Sequence, residues 1–124
     1  MVSSLERTFD QCAWMAKLPV AEAEYRFAAA HVGLGPGLRA RLVEAGLKDW
    51  RFDRAWTQGM VYVELEGGVW VSGWHQSGAG YSDDCSKYNA ATLLGWRGLR
   101  FTTTMLREDP MGCMEKVRSL LVRR

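Results

Sequence analysis

The chain has 124 residues, of which 48% are hydrophobic and 24% charged, with a formal net charge of +2. That length builds one domain, residues 1–124, with its own core and has no room for two ordinary ones. No apolar run is long enough to span a bilayer, the start MVSSLERTFD lacks the apolar core of a signal sequence, and no Ser, Gly or Pro tract marks a disordered arm, so a cytoplasmic globular protein is expected.

Leu5, Phe9, Cys12, Ala13 and Ala16 recur at helical spacing over about 4–17, and Pro19 closes that segment. AEYRFAAAHV fits a strand or a helix equally, and GLGPG at 33–37 is the clearest breaker in the chain. RARLVEAG predicts a short helix from Leu38 that ends at Gly46. WRFDRAW (50–56) and MVYVELE (60–66) both alternate like strands, with Thr57, Gln58 and Gly59 between them, which predicts a hairpin. VWVSGW at 69–74 extends the second strand or begins another. After the Gly-rich HQSGAG, a helix is expected from about Ser82, its N-cap, to Leu94, with Gly95 ending it. RGLRFT predicts a short strand at 97–102, and a final amphipathic helix is expected over about 110–122. The order implies an α/β (α+β) fold in which a central mixed sheet containing an antiparallel hairpin is flanked by helices.

Cys12, Cys85 and Cys113 are widely spaced, with no CxxC pair and no Cys/His cluster, so all three are read as reduced small hydrophobes rather than zinc ligands. The weak net charge permits a nucleic-acid partner without demanding one. Basic residues do cluster, at Arg39 and Arg41 and in the tail MEKVRSLLVRR.

The hairpin carries the chemistry. With a two-residue loop at Gln58-Gly59, Thr57 faces Met60, Trp56 faces Val61, and Asp53 faces Glu64 at about 4.5–5.5 Å, where like charges destabilise. Glu66 shares the face of Glu64, while Phe52, Trp56, Val61, Val63 and Leu65 fall on the other, core-facing side. Three carboxylates on one face point to a divalent metal such as Mg²⁺, which takes hard oxygen ligands and lowers the pKa of bound water. The alternative is ordinary ion pairing, of Asp53 with Arg51 or Arg54 and of Glu66 with Arg51.

WRFDRAW, VYVELEGGVW, His75 with its Gly-rich loop, DDCSKYNAATLLGW and RGLRFT resemble, in order and spacing, the PD-(D/E)XK nuclease superfamily. Small phage and bacterial endonucleases related to the very short patch repair enzymes are the nearest in look. The resemblance spans about residues 47–104 and implies a restriction-endonuclease-like fold and a Mg²⁺- or Mn²⁺-dependent DNA endonuclease. It makes Asp53 and Glu64 metal-binding acids, with Glu66 and the Leu65 carbonyl as further ligands, and Glu24 resembles an acid that some members supply from an N-terminal element. Glu66 stands where many members carry the lysine that positions the attacking water or steadies the phosphate. Lys87, on one helical face with Asp84, or His75, would have to replace it. Lys87 could instead pair with Asp83, and Asp84 could simply complement the helix dipole.

Arg51, Arg97 and Trp74 are weaker candidates for contacting DNA, the last by stacking on an unpaired base. With no dedicated base-reading module in the sequence, recognition of DNA structure such as a mismatch, branch or junction is expected, and a branched substrate would favour a homodimer. The rival function is a catalytically silent nuclease-like domain that binds DNA or a protein.

Overall fold

The computed structural model describes residues 3–67 and 78–123. In chain order its elements are α1 (Ser4–Met15), β1 (Glu22–Tyr25), α2 (Phe27–Val32), α3 (Leu38–Ala45), β2 (Phe52–Trp56), β3 (Val61–Glu66), α4 (Gly78–Leu93), β4 (Arg97–Thr102), α5 (Thr103–Glu108) and α6 (Pro110–Val122). The strands form one mixed sheet in the order β1-β2-β3-β4, antiparallel except for the parallel β3–β4 pair. None of the described helices is long and apolar enough to cross a membrane.

Local chemistry sets the helix ends. Ser3 and Glu6 form a reciprocal capping box at α1, which satisfies two amide donors that the first turn leaves without partners. The Asp109 side chain caps α6 by accepting from the Gly112 N–H, with Pro110 opening the helix. Gly46 takes the left-handed conformation that stops α3 (φ 72°). Ser82 lies inside α4 rather than at its start, because that helix begins at Gly78 and takes in the GAG run expected as loop.

The hairpin loop is the four residues Thr57–Met60, closed by the Met60 N–H donating to the Thr57 carbonyl at 3.2 Å, with Met60 left-handed (φ 53°). Its extra residues are added symmetrically, one to each side of Gln58-Gly59. The register is therefore that of a two-residue loop: Trp56 pairs with Val61, Ala55 with Tyr62 and Arg54 with Val63.

Both faces of the sheet are covered, so the molecule has three layers. Under α1, α5 and α6 lie Phe9, Trp56, Val61, Val63, Phe101, Leu106, Met114 and Val117. Under α2, α3 and α4 lie Phe27, Leu42, Phe52, Ala55, Tyr62, Ala91 and Trp96. Phe52 corrects the expected alternation. It does not join Trp56 and Val61 but stacks in the second cluster, its ring centre 4.1 Å from those of Phe27 and Tyr62. The cause lies next to it, at Asp53, where β2 departs from a regular ladder. Tyr62 in turn lies over Gly98, its register partner on β4, and a Cβ there would come within 2.1 Å of the tyrosine ring. Only glycine fits beneath that ring.

Candidate functional site

The β2–β3 backbone ladder runs to Arg54↔Val63. At the next pair the side chains take over. The Asp53 N–H donates to Glu64 Oε2 at 2.8 Å, and the Leu65 N–H donates to Asp53 Oδ2 at 2.7 Å. On the other flank of β2, the register set by Ala23↔Arg54 and Tyr25↔Phe52 brings Glu24 level with Asp53. Glu24 has a left-handed backbone (φ 51°), a conformation few side chains other than glycine adopt without strain. Glu24, Asp53 and Glu64 thus form a row of carboxylates across three strands, and the expected opposition of Asp53 and Glu64 is present.

Burial and the neighbouring charge of Glu64 push the Asp53 carboxyl up to about 6, with Glu24 adding to the shift and the Leu65 N–H opposing it. Glu64 is the more buried of the pair, only 4% exposed. Its Oε1 accepts from the Tyr88 hydroxyl at 2.8 Å and from Lys87 Nζ, both carried on α4. Burial and Glu64 together raise the Tyr88 hydroxyl far above its ordinary range, so it stays a donor at any physiological pH. Lys87 is therefore committed to the site and not to Asp83, which instead pairs with Lys48 at 2.9 Å.

The acids gathered at Asp53 differ from those expected. Oxygens of Glu6, Glu24 and Asp53 lie within 4.8 Å of one another. Glu66 instead accepts from Arg100 Nη2 at 3.2 and 3.4 Å, and Leu65 meets Asp53 through its N–H rather than its carbonyl. Glu6 went unforeseen. The S-x-x-E pattern at residues 3–6 reveals its capping role, but its reach to β2 depends on how α1 packs. It is held there by Arg54, which is 3% exposed, and Arg54 also grips Asp10 through two bonds of 2.8 Å and donates to the Asp53 carbonyl at 2.6 Å. Arg54 thus serves the α1 acids, and the expected pairing with the Asp53 carboxylate is replaced by this contact to its backbone.

The remaining candidates separate by position. Arg97 is a structural residue: its Nη2 donates to the carbonyls of Leu120 and Arg123 at 3.0 and 2.9 Å and so holds the end of α6. Arg41 likewise turns inward, donating to the carbonyls of Val32 and Pro36 and ordering the 33–37 loop. Arg51 is exposed and helps hold the Asp49 carboxyl low, after the larger effect of Arg26. Asp84 lines a cleft beside Tyr88 and Arg100. Trp56 and Trp96 are core residues. Trp74 and His75, with the 69–74 segment, lie outside the described residues.

The three acids gathered at Asp53, Glu6 and Glu24 with Asp53 itself, offer carboxylate oxygens, the kind of ligand a hard divalent cation takes. Glu64 faces Asp53 from the other side, where burial makes a second negative charge costly, which a bound cation would relieve. The residues present therefore fit such an ion. Compared with models of known protein families, with curated proteins and with solved structures, the chain matches none.

Proposed function

We propose that the protein is a metal-dependent DNA endonuclease of the PD-(D/E)XK kind. The observation that carries this function is the confrontation of Asp53 and Glu64 in one row of the sheet, with the Lys87 ammonium on Glu64. A structural ion pair needs one carboxylate and one cation. Here a second carboxylate faces the first at a titration point near 6, an arrangement that costs stability at neutral pH and is common where a site is built for chemistry.

Asp53 and Glu64, with Glu24 or Glu6 completing the oxygen set, would hold a Mg²⁺ or Mn²⁺ ion. When bound, that ion neutralises charge on a phosphodiester and lowers the pKa of a water. The chain supplies the rest. Arg54, gripping Glu6 and the Asp53 carbonyl, fixes α1 against β2. The Leu65 N–H and Tyr88 hydroxyl fix the rotamers of Asp53 and Glu64. Lys87 places a positive charge beside the carboxylates, where it steadies a phosphate oxygen or orients a water, the task for which Glu66 is unsuited. Recognition of DNA structure rather than of a long sequence, and pairing of two copies on a branched substrate, belong to the same proposal.

The test is cleavage of labelled duplex, nicked, mismatched, splayed and four-way DNA with Mg²⁺, Mn²⁺ or EDTA. Metal-dependent cutting that disappears in Asp53→Asn supports the nuclease. Lys87→Ala is expected to slow cutting by roughly 10²-fold or more, in the range for losing a positioned proton-transfer or charge-stabilising group. No cutting of any substrate, with no Mg²⁺ or Mn²⁺ bound by calorimetry, would sink it.

A catalytically silent binding domain has its own support. Glu64 is almost fully buried and already accepts from the Asp53 N–H, Lys87 and Tyr88, so it is stable as a buried charge without an ion. Calorimetry separates the two functions, because the silent domain binds no divalent metal through Asp53.

A further inference from the structure

We propose that Arg100 is the phosphate-anchoring residue of this site, that Glu66 positions it, and that the adjoining cleft on α4 receives a nucleotide flanking the cleaved bond. The inference rests on the nuclease reading and adds residues that reading does not use.

Arg100 is the direct partner of Glu64 in the parallel β3–β4 ladder. Paired residues project to the same side of a sheet, so the arginine leaves β4 on the α4 side, next to the carboxylate that Lys87 and Tyr88 hold. Its guanidinium lies 4.4 Å over the Tyr88 ring and gives two hydrogen bonds to Glu66, both from Nη2. These contacts fix the group without covering it, since the side chain remains 49% exposed. Among the described residues Nε and Nη1 keep their donors for a ligand, and the planar fork of an arginine matches two phosphate oxygens.

The nearby cations are differently placed. The Lys87 side chain is only 15% exposed and its ammonium sits on Glu64. Arg97 pairs with Val61, three residues down the ladder from Glu64, and its Nη2 holds backbone carbonyls at the end of α6. Arg100 is thus a half-open cation beside Glu64, and it faces a cleft of about 290 Å³ lined by Tyr81, Asp84, Cys85, Tyr88, Asn89 and itself. The Tyr81 ring is exposed and offers a stacking face for a base, and Asn89 offers an amide to a base edge. Anion anchor, aromatic face and amide together suit a nucleotide better than a bare anion.

This placement also gives Glu66 a function. The acid that stands in the lysine position of the motif orders an arginine on the next strand, which adds a second positive charge to that of Lys87. Glu66 and Asp84 both add negative charge around Arg100, which limits the affinity of the anchor to a moderate contribution.

The experiment is fluorescence anisotropy of a 5′-fluorescein-labelled single-stranded oligonucleotide and its duplex in Ca²⁺, over a range of salt, for wild type, Arg100→Ala, Arg100→Gln, Arg100→Lys, Glu66→Gln and the exposed control Arg107→Ala. Arg100→Ala and Arg100→Gln are expected to weaken binding about tenfold and to lower the salt slope by about one phosphate contact. Arg100→Lys should recover part of the affinity and Glu66→Gln should fall between wild type and Arg100→Gln, while Arg107→Ala changes neither quantity. The glutamine keeps the first two methylenes and a polar end group, so the test does not rest on the alanine variant alone. Unchanged affinity and slope in both Arg100→Ala and Arg100→Gln, with a wild type that binds or cuts DNA, would overturn the assignment of Arg100 and leave the nuclease standing. A wild type that neither binds nor cuts DNA would overturn both.

Discussion

Asp53 ties the site to folding. Its carboxyl titrates near 6 in the fold against an ordinary 3.8, so between those values the folded chain holds a proton that the unfolded chain has released. The resulting stabilisation is complete below about 3.8 and is lost as pH rises through about 6. Without divalent metal, Asp53→Asn is therefore expected to be at least as stable as wild type at pH 7.5 and to lose that margin as the pH falls below 5. Urea midpoints at the two pH values measure it, and a pH-independent difference would mean that Asp53 does not carry the shifted proton. Added Mg²⁺ should raise the wild-type midpoint more at pH 7.5 than at pH 5. Arg54 makes the opposite case: it is a buried cation whose partners are all present. Arg54→Ala leaves Glu6 and Asp10 without their shared counter-ion and opens a gap beneath α1. Because Glu6 and Asp10 keep contact with water (17% and 50% exposed), a loss of about 1–3 kcal/mol in chemical denaturation is expected, below the range for a fully buried pair.

At the level of elements, the clearest demand is that of Tyr62 on Gly98. Gly98→Ala puts a Cβ about 2.1 Å from the ring, and because Tyr62 is itself stacked between Phe52 and Tyr88 it has little room to retreat. A cost of about 1–3 kcal/mol is expected, shrinking in a Tyr62→Ala background, where the clash is absent. A double-mutant cycle with no coupling would show that the tyrosine does not set the requirement. The hairpin register was legible because alternation has a period of two and the turn residues lie symmetrically about Gln58-Gly59. The helices α1, α3 and α6 and the strand β4 were legible from periodicity, capping residues and breakers. AEYRFAAAHV divides into the short strand β1 and the short helix α2, each below the length at which a period declares itself. The six-residue α5 has the same difficulty, TTMLRE being too short to show a period. The face taken by Phe52 could not be read at all, since it follows from the displacement of β2 at Asp53. In the site, the Asp53–Glu64 opposition came from strand counting, and Lys87 came from the resemblance. Glu6 and Arg100 required knowledge of which helix packs on which strand, and of the β3–β4 register.

Across the whole molecule, the two cores meet the sheet from opposite sides, and the carboxylate row lies where β2 changes which core it serves. The acids at this row come from α1, β1, β2 and β3, and the cations that answer them come from α4, β4 and β2. The proposed metal site is assembled from both layers and cannot be kept by either alone, so loss of α1 packing should abolish ion binding there before it unfolds the α4 side. Phe9→Ala, which removes the fully buried anchor of α1, is expected to weaken Mn²⁺ binding in calorimetry while leaving the hydrogen-exchange protection of the α4 amides in place. Equal loss of both would mean that the two layers melt as one unit.

The left-handed Glu24 has a consequence for solubility. Strand β1 lies at one end of the strand order, and an open strand edge is a template on which another chain can add and grow an aggregate. Four residues, two exposed glutamates and a backbone kink at the second glutamate make this edge short, charged and out of line. Replacing Glu24 with valine would remove one of the two charges on that edge, and it is expected to lower the concentration at which the protein begins to scatter light. The residue that brings a carboxylate beside Asp53 would then also be one that keeps copies of this chain apart.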